Sequence, residues 1–544
     1  MSLLGIDVGT TGCKAAAFSA EGACLASAYR EYAAAPRADG RVELDAARVL
    51  ALVFETIAEV AARTAADPAT ALAISSMGEA MTPVAADGTV LGASILMSDP
   101  RGADLLEPVV AAVGRERFYD INPNILGPNY SLPKLLWLRR DEAALYARAW
   151  KFLLWGDLVA FALGGDPLTS YSLANRTLLF DIRREDWSDE LLAASGIDRA
   201  KLPRPVASGT VAGTVSDAVA ARLGLPRGIR IVVGGHDQCT NSLGAGIAEA
   251  GRAACGIGTF ECITPTYGRI PGGAENVYEN RLGPVAPPPS AVELRQGRSS
   301  PAEGAPPRAA EPHTAHTLSE MRRRGLNVEH HVLPGLYVSF IYNQAGSLLR
   351  WFRDTFARAD RDRLAPGEDI YDLLAREMPA EPSRVLVLPT FEMTGPPEFI
   401  PNPTGLIAGL RMGTSRGDIL KAIMEGATFY FVESLEALRA MGIDTSEFIA
   451  TGGGARSDLW LQVKADILGI PFIRPRITEG SLLGAAILAG LATGVYGSPA
   501  EGVVRFVHRD KVFTPDPARH REYRERYEKW RELYGLARGF ITRV

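Results

Sequence analysis

Along this chain the apolar positions repeat with two periods, and the switch between them marks out strands and helices. Leu3-Leu4-Gly5-Ile6 runs up to Asp7, Gly9-Thr10-Thr11-Gly12 follows, and Ala15-Ala16-Ala17-Phe18 resumes the apolar run, which predicts a β-hairpin with a Gly/Thr turn. Asp45 can cap a helix that begins at Ala46, where Val49, Leu52, Val53, Ile57 and Val60 recur at helical spacing and give a buried face. Residues 71–76 read as a central strand leading into Met77-Gly78-Glu79, and 130–138 as a helix entered through Pro133. The β-branched run at 231–233 ends in Gly234-Gly235-His236-Asp237-Gln238, and 253–262 reads as another strand with a Gly/Thr turn at Gly258-Thr259. Residues 418–439 form the clearest amphipathic helix, with Ile419, Ile423, Ala427, Phe431, Leu435 and Leu438 on one side. A last strand at 448–450 runs into Thr451-Gly452-Gly453-Gly454-Ala455-Arg456-Ser457.

One stretch breaks this pattern. Between about 281 and 324 the chain carries Pro287-Pro288-Pro289 and Pro306-Pro307 with almost no large apolar side chain from Leu294 to Leu318, so an excursion that cannot offset its ordering entropy by burial is expected there. With 544 residues, 47 % of them hydrophobic, the remainder is too long for one core and is expected to divide into two or three domains. A net charge of −5 with no basic stripe gives no reason to expect a nucleic-acid partner. Five cysteines, Cys13, Cys24, Cys239, Cys255 and Cys262, are too few and too scattered for a disulfide framework. The longest apolar stretch, near 482–491, is too short and too rich in Ala and Gly to span a bilayer, and no secretory signal is read at the N-terminus, so a cytoplasmic enzyme is the expectation.

The Gly/Thr turns suggest phosphate chemistry. Gly9 and Gly12 can take backbone angles that turn N–H groups inward as an anion cradle, Thr10 and Thr11 add hydroxyl donors, and Asp7 is placed to hold a divalent cation; a plain hairpin is the alternative. The strand ending at Asp237 and the turn at Gly258-Thr259 repeat this grammar, which suggests a duplicated architecture. At Gly452-Gly453-Gly454 a flat adenine or its ribose could lie on bare backbone. Asp99 and Arg101 could grip substrate hydroxyls or pair with each other at the surface. The polar stretch 169–187, with Asn175-Arg176-Thr177, is read as support for the sheet and the rim of a cleft, and His313, His316, His330 and His331 are too loosely spaced for a metal site.

Taken together, these stretches resemble the FGGY family of carbohydrate kinases. The resemblance rests on 7–11, on 130–137 with its aromatic-Ser…Lys-Leu-x-Trp pattern, on 256–259, on 405–410 with 418–425, and on 451–455. It implies an α/β, two-domain, actin-like ATPase (ribonuclease H-like) fold with a central catalytic cleft, divided as 1–246 and 247–544. It also implies ATP-dependent phosphorylation of a sugar or polyol hydroxyl with Mg²⁺ near Asp7. Asp237 falls on the family's catalytic base and would accept the hydroxyl proton. Gly9, Thr10, Thr11, Lys14, Gly258 and Thr259 would meet the phosphates, and Gly453, Gly454, Ala455 and Ser457 the nucleoside. Closure of the lobes should exclude water, with Gly244 and Gly246 either as hinges or as close helix contacts. A homodimer follows by family analogy.

Substrate residues carry over only in part. Glu79 coincides with the glutamate that grips glycerol in glycerol kinases, but Gly78 replaces the arginine before it and Asn129 replaces a tyrosine. Loss of a cation and an aromatic wall is expected to enlarge the pocket. The loop 95–101 resembles the Asp-x-Arg loop of xylulokinases, although Gly78-Glu79 stands where those enzymes carry Met-His. Glu79, Asp99, Arg101, Asp237 and Gln238 are expected to contact a ketose or polyol of four to six carbons, with D-xylulose the leading candidate. Erythritol, ribulose, fuculose, gluconate and the autoinducer-2 signal stay open. A sugar- or nucleotide-binding regulator and a polymerising actin-like protein are the rival classes.

Overall fold

The computed structural model describes residues 1–36, 40–271, 318–365, 367–400 and 402–542. Most of the Pro-rich stretch lies outside the described residues. Its last residues do not: Leu318–Arg323 is a helix with Leu318 and Met321 buried, so the expectation does not hold for 318–323.

Two sheets share one plan. In the first, β1 (Ser2–Val8), β2 (Gly12–Ser19) and β3 (Cys24–Glu31) form an antiparallel meander. On the other side of β1 lie the parallel strands Ala69–Ser76 and Arg230–His236, then Val211–Thr214 as an antiparallel edge. In the second, Ala253–Ile257, Phe260–Tyr267 and Ile341–Gln344 form the meander, Phe448–Thr451 and Phe472–Pro475 are parallel, and Arg509–Phe513 is the antiparallel edge. The duplication suggested by the sequence is therefore real, but its register differs from the expectation. The counterpart of the β1–β2 hairpin is 253–267, whereas Arg230–His236 holds the place that Phe472–Pro475 holds in the second sheet.

Each sheet is covered by helices whose pattern explains their placement. The Asp45 carboxylate accepts from the Arg48 N–H at 3.0 Å and starts α1 (Ala46–Arg63), which buries Val49, Val53, Ile57 and Val60 against the first sheet. The helix Arg416–Ala440 is capped by Ser415 and is buried on more than its apolar side. Lys421 donates to the carbonyls of Pro379, Ala380 and Glu381, and the Glu425 carboxylate accepts from Tyr523, so polar positions the pattern leaves to solvent are enclosed by other chain segments. Among the described residues no helix is long and apolar enough to cross a membrane.

The two halves meet through two crossed helices. Gly480–Thr493, apolar on every face, belongs by sequence to the second half yet packs on β1 and crosses Asp237–Gly244. A Cβ at Gly244 would lie 1.8 Å from the Gly480 carbonyl oxygen, so this glycine permits a close helix crossing. A second junction is made by chain 326–344. Val328 N–H donates to Pro123 O (2.9 Å), the Asn175 amide donates to Val328 O (3.2 Å), and Tyr119 donates to Leu326 O. Residues from the second half thereby enter a pocket built mostly from the first.

Candidate active site

Three turns line the cleft. Between β1 and β2 the Gly9 N–H donates to Gly12 O (2.9 Å), Tyr32 donates to Gly9 O (2.6 Å), and Thr10 and Thr11 are exposed. In the second hairpin the Gly258 N–H donates to Phe260 O (2.9 Å), and Gly258 and Thr259 are exposed. Arg350 donates to Thr259 Oγ1 (2.7 Å) and the Ser347 N–H to Thr259 O (3.1 Å). At the third turn Gly452 has φ +79°, and a Cβ at Gly454 would lie 2.3 Å from Ile257 Cγ2. Only Gly453 of this triplet faces open space, so the expectation of a wholly bare glycine surface is corrected: the other two are needed for packing on Ile257. Ala455 is buried and Ser457 caps the helix Asp458–Leu468, so both shape the turn.

Two carboxylates face each other's fields without a full countercharge. Asp7, next to last in β1, accepts from Ser75 Oγ (2.8 Å), and burial pushes its carboxyl up to about 6. Asp237 follows the strand Arg230–His236 and opens the next helix. Burial first, then the charges of Asp7 and Glu79, push it up to about 8, against an opposing Gln238 N–H and Arg176. Lys14 is pulled across the cleft to Glu479 (2.5 Å). Gln238 Oε1 is buried without a hydrogen bond and lies 3.5 Å from where a Cβ of Gly256 would stand.

These features fit a divalent cation. Asp7 has one carboxylate oxygen engaged by Ser75, and both acids are held in a setting that disfavours their charged forms. Among the described residues no group of three His, Cys, Asp or Glu side chains is placed to hold a metal by itself, so Asp7 would hold a cation only with help from groups outside the protein.

The end around Glu79 holds a residue that sequence reading assigned to the rim. Arg176, 5 % exposed, donates from Nε to Glu79 Oε1 (2.7 Å) and from Nη1 to Glu329 Oε1 (2.6 Å), and lies between the rings of Tyr130 (4.8 Å) and Phe340 (5.4 Å). Glu329 is filled by Asn175 and Asn327 as well, whereas Glu79 Oε2 has no hydrogen bond among the described residues. Glu79 also sits at φ +61°, a conformation few non-glycine residues adopt, with its carbonyl held by Ser131 Oγ (2.6 Å). Gly78 lies directly against the Arg176 stem, 3.0 Å from Cγ to the place of a Cβ. The expected loss of a cation is therefore corrected: Arg176, from another segment, lays its stem beside Gly78 and brings its guanidinium to Glu79. The one available signal was the charged residue inside Asn175-Arg176-Thr177. Nothing in the sequence pointed to Glu329 or Phe340.

Asp99 and Arg101 are corrected too. Asp99 Oδ1 accepts from Arg101 N and Nε (2.9 Å each), and Oδ2 from Arg101 Nη2 (2.6 Å) and Val42 N (2.7 Å). Arg101 also meets Glu43 (2.7 Å) and covers Trp137 (4.7 Å). They form a largely buried ion pair that braces the loop, with both Asp99 oxygens and Arg101 Nε and Nη2 engaged within the protein.

Residues 2–244 match the model for the FGGY family of carbohydrate kinases, N-terminal domain, and residues 322–493 its C-terminal domain. A xylulose kinase of Bacillus subtilis is 26 % identical, covering 99 % of this chain and 98 % of its own. An autoinducer-2 kinase of Escherichia coli is 27 % identical, covering 99 % and 95 %. Ligand-bound xylulose kinase from Lactobacillus acidophilus shares the fold with a TM-score of 0.80 at 20 % identity, covering 99 % of each chain.

Proposed function

The chain belongs to the FGGY family of carbohydrate kinases, ATP-dependent phosphotransferases acting on small sugars, and from that premise we propose that its acceptor is a neutral ketose or polyol, D-xylulose first, converted to D-xylulose 5-phosphate. The observation that carries the reading is Glu79, buried beside Arg176 with one oxygen unengaged and near enough to Asp237 for its charge to act there. Glu79 is fixed through Oε1 by Arg176 and keeps Oε2 for substrate hydroxyls, while Asp7 adds further negative charge nearby and Asp237, pushed up to about 8, gains its charge as it gives up its proton. Such a pocket accepts hydroxyl donors and repels an acidic sugar, which places gluconate last.

In this reading Asp237 takes the proton of the attacking hydroxyl as the bond to the γ-phosphorus forms and ADP leaves. Gly9, Thr10 and Thr11 on one side and Gly258 and Thr259 on the other hold the phosphates through backbone N–H and hydroxyl groups, with Arg350 adding a cation beside Thr259. Gly453, with Gly454, Ala455 and Ser457 shaping its turn, receives the nucleoside. Gln238 lies beside Gly256 and can follow the transferred group. Mg²⁺ beside Asp7 would neutralise phosphate charge when bound. Lys14, engaged by Glu479, steers the hairpin's return strand. By family analogy the enzyme acts in the cytoplasm as a homodimer, which light scattering at micromolar concentration checks.

ADP release over a panel of D-xylulose, ribulose, fuculose, erythritol, glycerol, autoinducer-2 and gluconate tests the assignment. D-xylulose should give the highest kcat/KM and gluconate none, and Asp237→Ala should remove sugar-dependent turnover. Autoinducer-2 as the best substrate would favour the second relative's chemistry. No sugar-stimulated turnover at all would leave a binding regulator.

A further inference from the structure

His236 has no part in the chemistry described so far, yet it stands beside the base. It is the residue before the helix Asp237–Gly244, 6 % exposed, with its ring stacked on Phe340 at a centroid distance of 5.0 Å and 26° between planes. Its Nε2 lies 3.4 Å from Asp237 Oδ1, and its Nδ1 is buried without any hydrogen-bond partner. The other side of the ring is closed by Gly78, where a Cβ would stand 2.8 Å from Cδ2 and 3.2 Å from Nε2. Burial and the neighbouring Arg176 charge keep the imidazole neutral.

A neutral imidazole has one N–H to place. On Nε2 it has Asp237 Oδ1 at 3.4 Å as the nearby acceptor and leaves only a lone pair at Nδ1. On Nδ1 it would be a buried N–H with no acceptor. The first arrangement is the cheaper, because orphaned donors are the rarer and costlier case. We propose that His236 is a positioning residue for the base: Nε2–H donates to Asp237 Oδ1 and so presents Oδ2 to the acceptor hydroxyl. The imidazole itself neither gains nor loses a proton. The alcohol proton passes to Oδ2 as the phosphorus–oxygen bond forms and ADP departs. Gly78 is part of the device, since a larger residue there would push the ring away from Asp237.

This inference rests on the kinase reading, and two measurements separate their fates. In protein carrying ¹⁵N-histidine, the two-bond ¹H–¹⁵N spectrum reports the tautomer, with His236→Gln identifying the signals by their loss. An Nε2–H tautomer is expected, and an Nδ1–H or doubly protonated ring overturns the proposal. That spectrum needs no turnover, so a chain inactive on every sugar would sink the kinase reading alone. With the best sugar, His236→Phe keeps the ring stack without the donor and should lower kcat about 10- to 100-fold while sugar KM stays within about threefold. His236→Gln, whose amide N–H can stand in for Nε2, should recover most of that loss. Gly78→Ala should reproduce the kcat loss with His236 intact. Unchanged kcat in His236→Phe, or an effect confined to KM, overturns the role; if His236→Phe does not fold, the tautomer and Gly78→Ala decide.

Discussion

The hairpins of the two sheets have the same connections and face the same cleft, but they carry their acids on opposite faces. In the first, Asp7 pairs in register with Lys14 and lies on the face that carries Leu3, toward the crossed helices, while Cys13 points back at α1. In the second, Gly256 takes the place of Asp7, one residue before the last of its strand, and Glu261 takes the place of Cys13. Glu261 is buried on the far side, where Lys464 donates to both of its oxygens (2.6 Å each) and Cys255 Sγ to one (3.1 Å). Cross-strand partners share a face and side chains alternate along each strand, so an acid at the place of Cys13, one residue from Asp7's partner Lys14, lies in the core rather than the cleft. One hairpin therefore carries its carboxylate toward the cleft, and the other presents bare backbone there, which in the proposed function would serve a cation and the phosphates respectively.

This contrast can be broken from either side. Neutralising the cleft acid should have the largest effect: Asp7→Asn is expected to lower kcat about 10²- to 10³-fold in steady-state assays, the scale of cation-assisted charge stabilisation, with thermal stability unchanged or raised because the carboxylate is held above its ordinary pKa. Breaking the core acid's partner should do the reverse. Lys464→Met leaves Glu261 buried and unpaired, and should cost about 3–5 kcal/mol in denaturant unfolding while KM for ATP stays near its original value. Copying the first hairpin's charge into the second with Gly256→Asp should raise KM for ATP about tenfold through repulsion of the phosphates. Gly256→Ala should change little, since a Cβ there meets only ordinary contacts at 3.5 Å.

The smallest effect is a shift in pH dependence. Asp237, pushed up to about 8, is mostly protonated at neutral pH in the free enzyme and must lose that proton to act as base. Accordingly kcat/KM for the sugar should rise with pH and level off above about 8. Glu79 raises the Asp237 pKa by like charge, so Glu79→Gln should move this limb to lower pH even as it weakens sugar binding. A limb that stays in place would separate the two acids electrostatically.

Much of this was legible because it is local. The β1–β2 hairpin, the Asp45-capped α1 and the apolar run ending at Asp237 depend on neighbouring residues and their periods, and they stand in the structure at those positions. The duplication was visible as a repeated Gly/Thr grammar, but its register was not, because the strand before Asp237 and the strand before Gly258 look alike until their hydrogen-bond partners are known. Asp99 and Arg101 illustrate the same limit. Two residues apart, they can turn outward or toward each other, and Val42, Glu43 and Trp137 settle the matter from other segments.

The sequence by itself determined where strands end in Gly, Thr and Asp, and hence the phosphate-handling character of the protein, since turn chemistry and side-chain period are properties of short stretches. Only the tertiary structure decided which charges meet: Arg176 with Glu79 and Glu329, and Glu261 with Lys464. Charge pairing in a buried site is a matter of ångströms between residues as much as about 200 positions apart, and no periodicity along the chain encodes that distance.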